Sequence, residues 1–147
     1  MVGGNVQTIL AFDFGLRSIG VAVGHTLTGS ARGIGVVQRR SGVVQWDKVD
    51  HLVAHWGPNA LVVGLSLHMD GSPQSFHPQL KHFFSTLESR YSLPVFWADE
   101  RLSTVEARDY LFAQGGKKAL SKENIDAESA RIILEQWLSE YAHHHGG

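Results

Sequence analysis

The amino-acid sequence predicts an α/β fold: a mixed five-stranded sheet that opens with a three-strand antiparallel meander and is flanked by helices. Three observations predict it. Residues 8–38 hold three apolar β-like runs joined by short glycine or polar links. Beyond them, segments with apolar residues at helical spacing alternate with two continuous apolar runs. Finally, a chain of 147 residues that is 43% hydrophobic has the size and apolar content for a single two- or three-layer core.

The meander strands are Thr8 to Phe14, Ser18 to His25 and Gly29 to Gln38. Trp46 to Trp56 follows as a helix, because Val49, Leu52, Val53 and Trp56 fall on one apolar stripe; Gly57 and Pro58 stop it. Ala60 to Leu67 is apolar throughout, as expected of a strand buried on both faces. After a loop carrying Asp70, Gly71 and Pro73, residues Leu80, Phe83, Phe84 and Leu87 share one face of a helix from His77 to Arg90. Pro94 to Ala98 reads as a short buried strand.

Ser103 and Glu106 have capping-box spacing, so a helix is expected from near Thr104 until Gly115 and Gly116 end it. A polar segment from Lys117 to Asn124 leads into a last helix, where Asp126 lies in line with Ala130, Ile133 and Trp137. Residues 1–142 are expected to form one domain. The tail of His143, His144, His145 and two glycines is expected to lie outside the fold and to be disordered. This order matches the ribonuclease H-like fold, although the sugar-kinase and actin-type ATPase fold starts from a related meander. Fold order alone does not choose between them.

Composition narrows the function. The absence of cysteine excludes disulfides, thiolate catalysis and sulfur-based zinc sites. With neither a long apolar span nor a signal-like N-terminus, the expectation is a soluble, cytoplasmic protein with no membrane partner. A formal charge of -1 gives no global positive field, so any nucleic-acid contact must be a local basic patch.

Chemistry is carried by acids. Asp13 stands near the end of an otherwise apolar strand, next to Gly15 and its permissive backbone. Asp99 and Glu100 end the last strand, and alternation sends them to opposite faces, so one of the two joins Asp13. Asp126 sits where the positive end of a helix dipole favours an anion. Three carboxylates drawn together repel unless a cation joins them. Oxygen-only ligands suit magnesium or manganese, and two such ions roughly 3.5 to 4 Å apart are a recurrent device for phosphodiester hydrolysis.

The motifs A-F-D-F-G-x-R-S-I-G-V-A-V-G, V-V-G-L-S-L-H-M-D-G, A-D-E-R-L-S-T-V-E-A and I-D-A-E-S-A-R-I-I-L, in that order, resemble those of the YqgF/RuvX family. They span the chain from Ile9 to Tyr141. The resemblance implies the ribonuclease H-like fold and Mg2+ or Mn2+ dependence with a two-metal site. It assigns the catalytic and metal-binding acids to Asp13, Glu100 and Asp126. It further implies activity as a pre-16S rRNA nuclease or a Holliday-junction resolvase. One departure is Ser66, where the family usually has proline, and a second is His68, where asparagine is frequent; both concern loop geometry rather than the acids.

Candidate nucleic-acid contacts are Arg17, Arg101, Arg108, Lys117, Lys118 and Lys122, with Arg39 and Arg40 as further basic residues at a strand end. The leading reading is a metal-dependent endonuclease processing the 5′ end of pre-16S rRNA, and the second is cleavage of branched DNA. A monomer suffices for trimming, whereas a junction resolvase requires a homodimer. Outside that class stand a nucleic-acid-binding factor that cuts nothing and an ATP-binding module, for whose two lobes the chain is short.

Overall fold

The computed structural model describes residues 7–15, 18–65, 73–98 and 122–145. These form β1 (Thr8–Phe14), β2 (Ser18–His25), β3 (Ser30–Arg40), β4 (Val43–Val44), α1 (Trp46–Trp56), β5 (Ala60–Leu65), α2 (Pro73–Tyr91), β6 (Val95–Trp97) and α3 (Lys122–His145). The sheet order is β4-β3-β2-β1-β5-β6. The meander pairs antiparallel, whereas β1–β5 and β5–β6 pair parallel.

Among the described residues the sheet has six strands rather than the expected five, because Val43–Val44 folds back on Arg39 and Arg40. Ser41 (φ 52°) and Gly42 (φ 79°) make the link, both in the left-handed conformation that two-residue hairpins favour. Gly57 stops α1 as expected, with a φ of 56° and its N–H donated to the Val53 carbonyl at 2.9 Å. At the other end of the chain α3 runs through His145, so the histidines expected to lie outside the fold continue its last helix. The helix expected from Thr104 to Gly115 and the loop residues Asp70 and Gly71 lie outside the described residues, whereas Pro73, expected in that loop, opens α2, which starts four residues before the expected His77.

Strand alternation divides the core into two layers. Leu10, Phe12 and Phe14 of β1, with Ile19, Val21, Val23, Leu61 and Val63, pack beneath α1 and α2 through Val49, Leu80, Phe83 and Leu87. On the other face, Ile9, Ala11, Ala22, Ala60 and Val62 meet Ala130, Ile133, Leu134 and Leu138 of α3. Ala11, Ala22 and Ala60 on this face, with Gly20 and Gly24, leave room for the helix to come close. Among the described residues no helix is long and apolar enough to cross a membrane.

A polar clamp joins the two helices of the first layer. Asp50 of α1 accepts hydrogen bonds from Arg90 Nε at 2.7 Å, Arg90 Nη2 at 2.6 Å and the Tyr91 hydroxyl at 2.5 Å. The Arg90 guanidinium also lies over the Trp46 ring, 5.3 Å from its centroid. These donors, Arg90 first, hold the Asp50 carboxyl down at about 2. A depressed carboxyl stabilises the fold above its unfolded value of about 3.9 and loses that contribution as pH falls through its folded value. Wild type is therefore expected to melt above Asp50→Asn at pH 7, with the gap closing as pH falls from about 4 toward 2. Thermal melts across that range check this, and a gap that persists at pH 2 contradicts it.

Candidate active site

Two of the three acids lie among the described residues, and backbone register brings them to one place. Asp13 is the sixth residue of β1 and pairs with Gly20 on β2 and Gly64 on β5, so both its cross-strand neighbours lack a side chain. Directly paired residues share a face, and Asp13 follows Ile9 and Ala11 onto the face covered by α3. A Cβ built on Gly20 would overlap the backbone carbonyl oxygen of Asp126. Cross-strand Cβ atoms stand about 4.5 to 5.5 Å apart, which places the Asp13 Cβ within roughly 7 Å of the Asp126 backbone. Asp13 and Asp126 are each only 2% exposed.

The first turns of α3 are seated by contact. Gly33 repeats the close approach of Gly20: a Cβ there would stand 2.7 Å from the Ala127 carbonyl oxygen. Ser18, two residues before Gly20 and on the same face, donates its hydroxyl to Asp126 Oδ2 at 2.5 Å. That bond fixes which oxygen of Asp126 faces β2. Ser129, one turn further along α3, is fully buried, and its Oγ has no hydrogen-bond partner among the described residues. The neighbourhood thus holds two buried carboxylates and two buried hydroxyls. All are oxygen donors, which hard cations such as magnesium and manganese accept.

Glu100, Arg17, Arg101, Arg108, Lys117 and Lys118 lie outside the described residues, as do Asp99, Ser66 and His68. Lys122 opens α3. Among the described residues no three His, Asp or Glu side chains gather as a metal site. On β6, Val95 belongs to the α1/α2 layer and Trp97 stacks on Phe84 of α2, 4.2 Å between centroids. Phe96 turns to the α3 face, where it meets Trp137, and Ala98 packs into the same cluster.

Arg39 corrects an expectation. Sequence reasoning placed it with a basic surface, yet it is 7% exposed. Its Nη1 donates to the Gly15 carbonyl at 2.6 Å, and its Nη2 donates to Gln79 Oε1 at 2.5 Å and to the Gly42 carbonyl at 3.3 Å. The guanidinium also lies 4.5 Å from the Phe14 ring centroid. Burial pushes its pKa down from the ordinary arginine value, yet leaves it a cation at any working pH. The physical reason is that Arg39 shares the parity of Val37, which faces the α1/α2 layer, and there it anchors the backbone just after Asp13. A cleft of about 380 Å³ opens beside it, lined by Phe14, Trp46 and Gln79 among others; Asp13 and Asp126 do not line it.

Seating α3 on bare glycine makes Gly20→Ala a sharp probe. The added methyl meets backbone rather than a flexible side chain, so α3 must lift, at an expected cost of about 3 kcal/mol. Urea unfolding measures it; unchanged stability would mean that α3 does not sit on Gly20.

Known proteins agree with this architecture. Residues 7–140 match the family described as "RuvX: Holliday junction resolvase". A protein of Edwardsiella ictaluri (strain 93-146) named "Putative pre-16S rRNA nuclease" is 50% identical over 134 residues, covering 91% of this chain and 96% of its own. One of the same name from Glaesserella parasuis serovar 5 (strain SH0165) is 48% identical over 134 residues, covering 91% and 97%. Among solved structures, the T. thermophilus RuvC in complex with Holliday junction substrate superposes with a TM-score of 0.54 at 14% identity, covering 92% of this chain and 95% of that one. The Fowlpox virus resolvase bound to Holliday junction DNA gives 0.57 at 8% identity, covering 91% and 98%. At such identities the likeness shows the fold, which is ribonuclease H-like. The family match over nearly the whole chain and the two close relatives carry the rest: this chain belongs to the RuvX family.

Proposed function

We propose that this protein is a divalent-metal-dependent endonuclease that hydrolyses phosphodiester bonds in structured nucleic acid. Its first substrate on this reading is the 5′ end of pre-16S rRNA. The observation that carries the proposal is the convergence of Asp13 and Asp126 through the side-chain-free patch at Gly20. The two carboxylates and the hydroxyls of Ser18 and Ser129 are oxygen donors, the kind that magnesium and manganese accept. Glu100 is proposed as the third acid because it matches the family's acid in the D-E-R-L-S-T motif.

Each residue then has a defined task. Asp13 is held by β1, which is hydrogen-bonded to a neighbouring strand on each side. Asp126 is oriented by the Ser18 hydroxyl, and Ser129 offers a further buried oxygen one turn away. Asp13, Glu100 and Asp126 would hold Mg2+ or Mn2+, which would supply Lewis-acid charge for phosphodiester hydrolysis. Arg17 and Arg101, each close in sequence to a proposed metal acid, bind the flanking phosphates, and Arg108, Lys117, Lys118 and Lys122 extend that contact. The reaction belongs in the cytoplasm, where precursor rRNA is found.

The RNA substrate takes precedence because relatives about half identical over 91% of the chain carry that name. Branched DNA is the second reading, favoured by the family description, and it requires a homodimer with two sites where rRNA trimming needs one. A four-way DNA junction and a precursor rRNA fragment, each incubated with and without Mn2+, separate the two. Asp13→Asn is expected to lower cleavage at least about 100-fold with the fold intact. Full activity in that variant defeats the proposal, and binding without cleavage by wild type under either metal points to a binding factor instead.

A further inference from the structure

A protein with a formal charge of -1 holds a polyanion only through local cations that its own acids do not neutralise. Most described arginines are committed. Arg90 is paired with Asp50, Arg131 with Glu128 and Glu135, and Arg39 is buried against backbone carbonyls. Arg32 is different. It is exposed on the N-terminal half of β3, beyond the reach of β4, which pairs only with Arg39 and Arg40. Among the described residues no carboxylate pairs with it; its guanidinium lies over Trp56 of α1, 5.2 Å from the ring centroid.

That pair forms one wall of a cleft of about 280 Å³ lined by Val23, His25, Ser30, Ala31, Arg32 and Trp56. Among the described residues no aspartate or glutamate lines it. His25 is exposed, and its Nδ1 lies 3.2 Å from Thr8 Oγ1, so Nε2 is the ring nitrogen available to a ligand. Ser30 adds a hydroxyl, 2.9 Å from that of Thr28. His55 meets Trp56 edge-on at 4.9 Å and extends the imidazole surface along α1. A fixed cation, an imidazole, hydroxyls and an aromatic ring, with no acid among them, recognise a phosphodiester and the nucleoside beside it.

The cleft is far from the acids. His25 pairs with Thr8, five residues before Asp13 on β1, or roughly 17 Å along the strand. Arg32 pairs with Val23, so it belongs to the α1 face and not to the α3 face that carries Asp13. The geometry points to a second nucleic-acid site at Arg32, His25 and Trp56, which anchors a phosphodiester segment of the substrate remote from the one that is cut. This inference rests on nucleic acid being the substrate. It implies that large folded or branched substrates gain affinity from this cleft and that short fragments, which cannot reach both faces, do not.

The test measures equilibrium binding without metal for wild type, Arg32→Gln, Arg32→Lys and, as a charge-matched control on α2, Lys81→Gln. The ligands are a precursor rRNA hairpin, a four-way junction and a six-nucleotide single strand, over a range of salt. Arg32→Gln is expected to weaken binding of the large ligands roughly five- to tenfold at about 0.1 M salt and to reduce the salt slope by about one. Binding of the six-nucleotide strand stays unchanged, Arg32→Lys recovers most of the loss, and Lys81→Gln shows little of it. If Arg32 only clamps α1 to β3, Arg32→Gln and Arg32→Lys both lower the melting temperature while affinity for every ligand stays at wild type, and the inference falls. Equal weakening for short and long ligands, or an equal effect of Lys81→Gln, overturns it as well. Failure of wild type to bind any of the three ligands brings down the nuclease reading and this inference together, whereas wild-type binding with an inert Arg32→Gln brings down this inference alone.

Discussion

A helix rests its backbone against a β-sheet only where the sheet offers no side chains. Here α3 begins on such a patch: the space a Cβ would need at Gly20 and Gly33 is taken by the carbonyls of Asp126 and Ala127. The described part of the proposed site follows from that seating. It draws Asp126 down beside Asp13, puts the Ser18 hydroxyl within reach of Asp126 Oδ2, and buries Ser129. Further along, Leu134 and Leu138 close over Gly24, so apolar packing holds the helix in the position that the polar end requires. Stability and chemistry are thus joined in a single helix–sheet contact.

The other layer of the sheet supports the same strand end from behind. Phe14 turns away from the acids into the aromatic group around Phe83, 5.2 Å between centroids, and Arg39 grips the Gly15 carbonyl. The backbone that follows Asp13 is therefore fixed from the α1/α2 side, whereas the side chain of Asp13 is presented to α3. A buried arginine is a costly way to hold one carbonyl. Its further bonds to Gln79 and Gly42 spread that cost by joining α2 and the β3–β4 hairpin to the end of β1.

Much of this was legible in the sequence, because period-two and period-3.6 patterns dominate it. The meander strands, α1 and its glycine stop, and the placement of Asp126 on the apolar stripe of the last helix all follow from side-chain periodicity. The glycine seat was also present in Ser18, Gly20, Ala22 and Gly24, small residues alternating with Ile19, Val21 and Val23, although it takes a structure to say what lies against them. Other features left weaker traces. The two-residue β4 depends on a turn at Ser41 and Gly42, and the burial of Arg39 depends on strand parity carried past the apolar run. Pairing of Ser18 with Asp126 joins residues 108 apart, and no local pattern reports it.

We propose that Asp13 and Asp126, joined by Glu100, form one metal centre. A crystal grown with Mn2+ tests it most directly through anomalous scattering. The expected result is a manganese peak at coordination distance, about 2.0 to 2.3 Å, from carboxylate oxygens of both Asp13 and Asp126, with Glu100 completing the set. Manganese bound elsewhere, or by one of the two aspartates without the other, would contradict it.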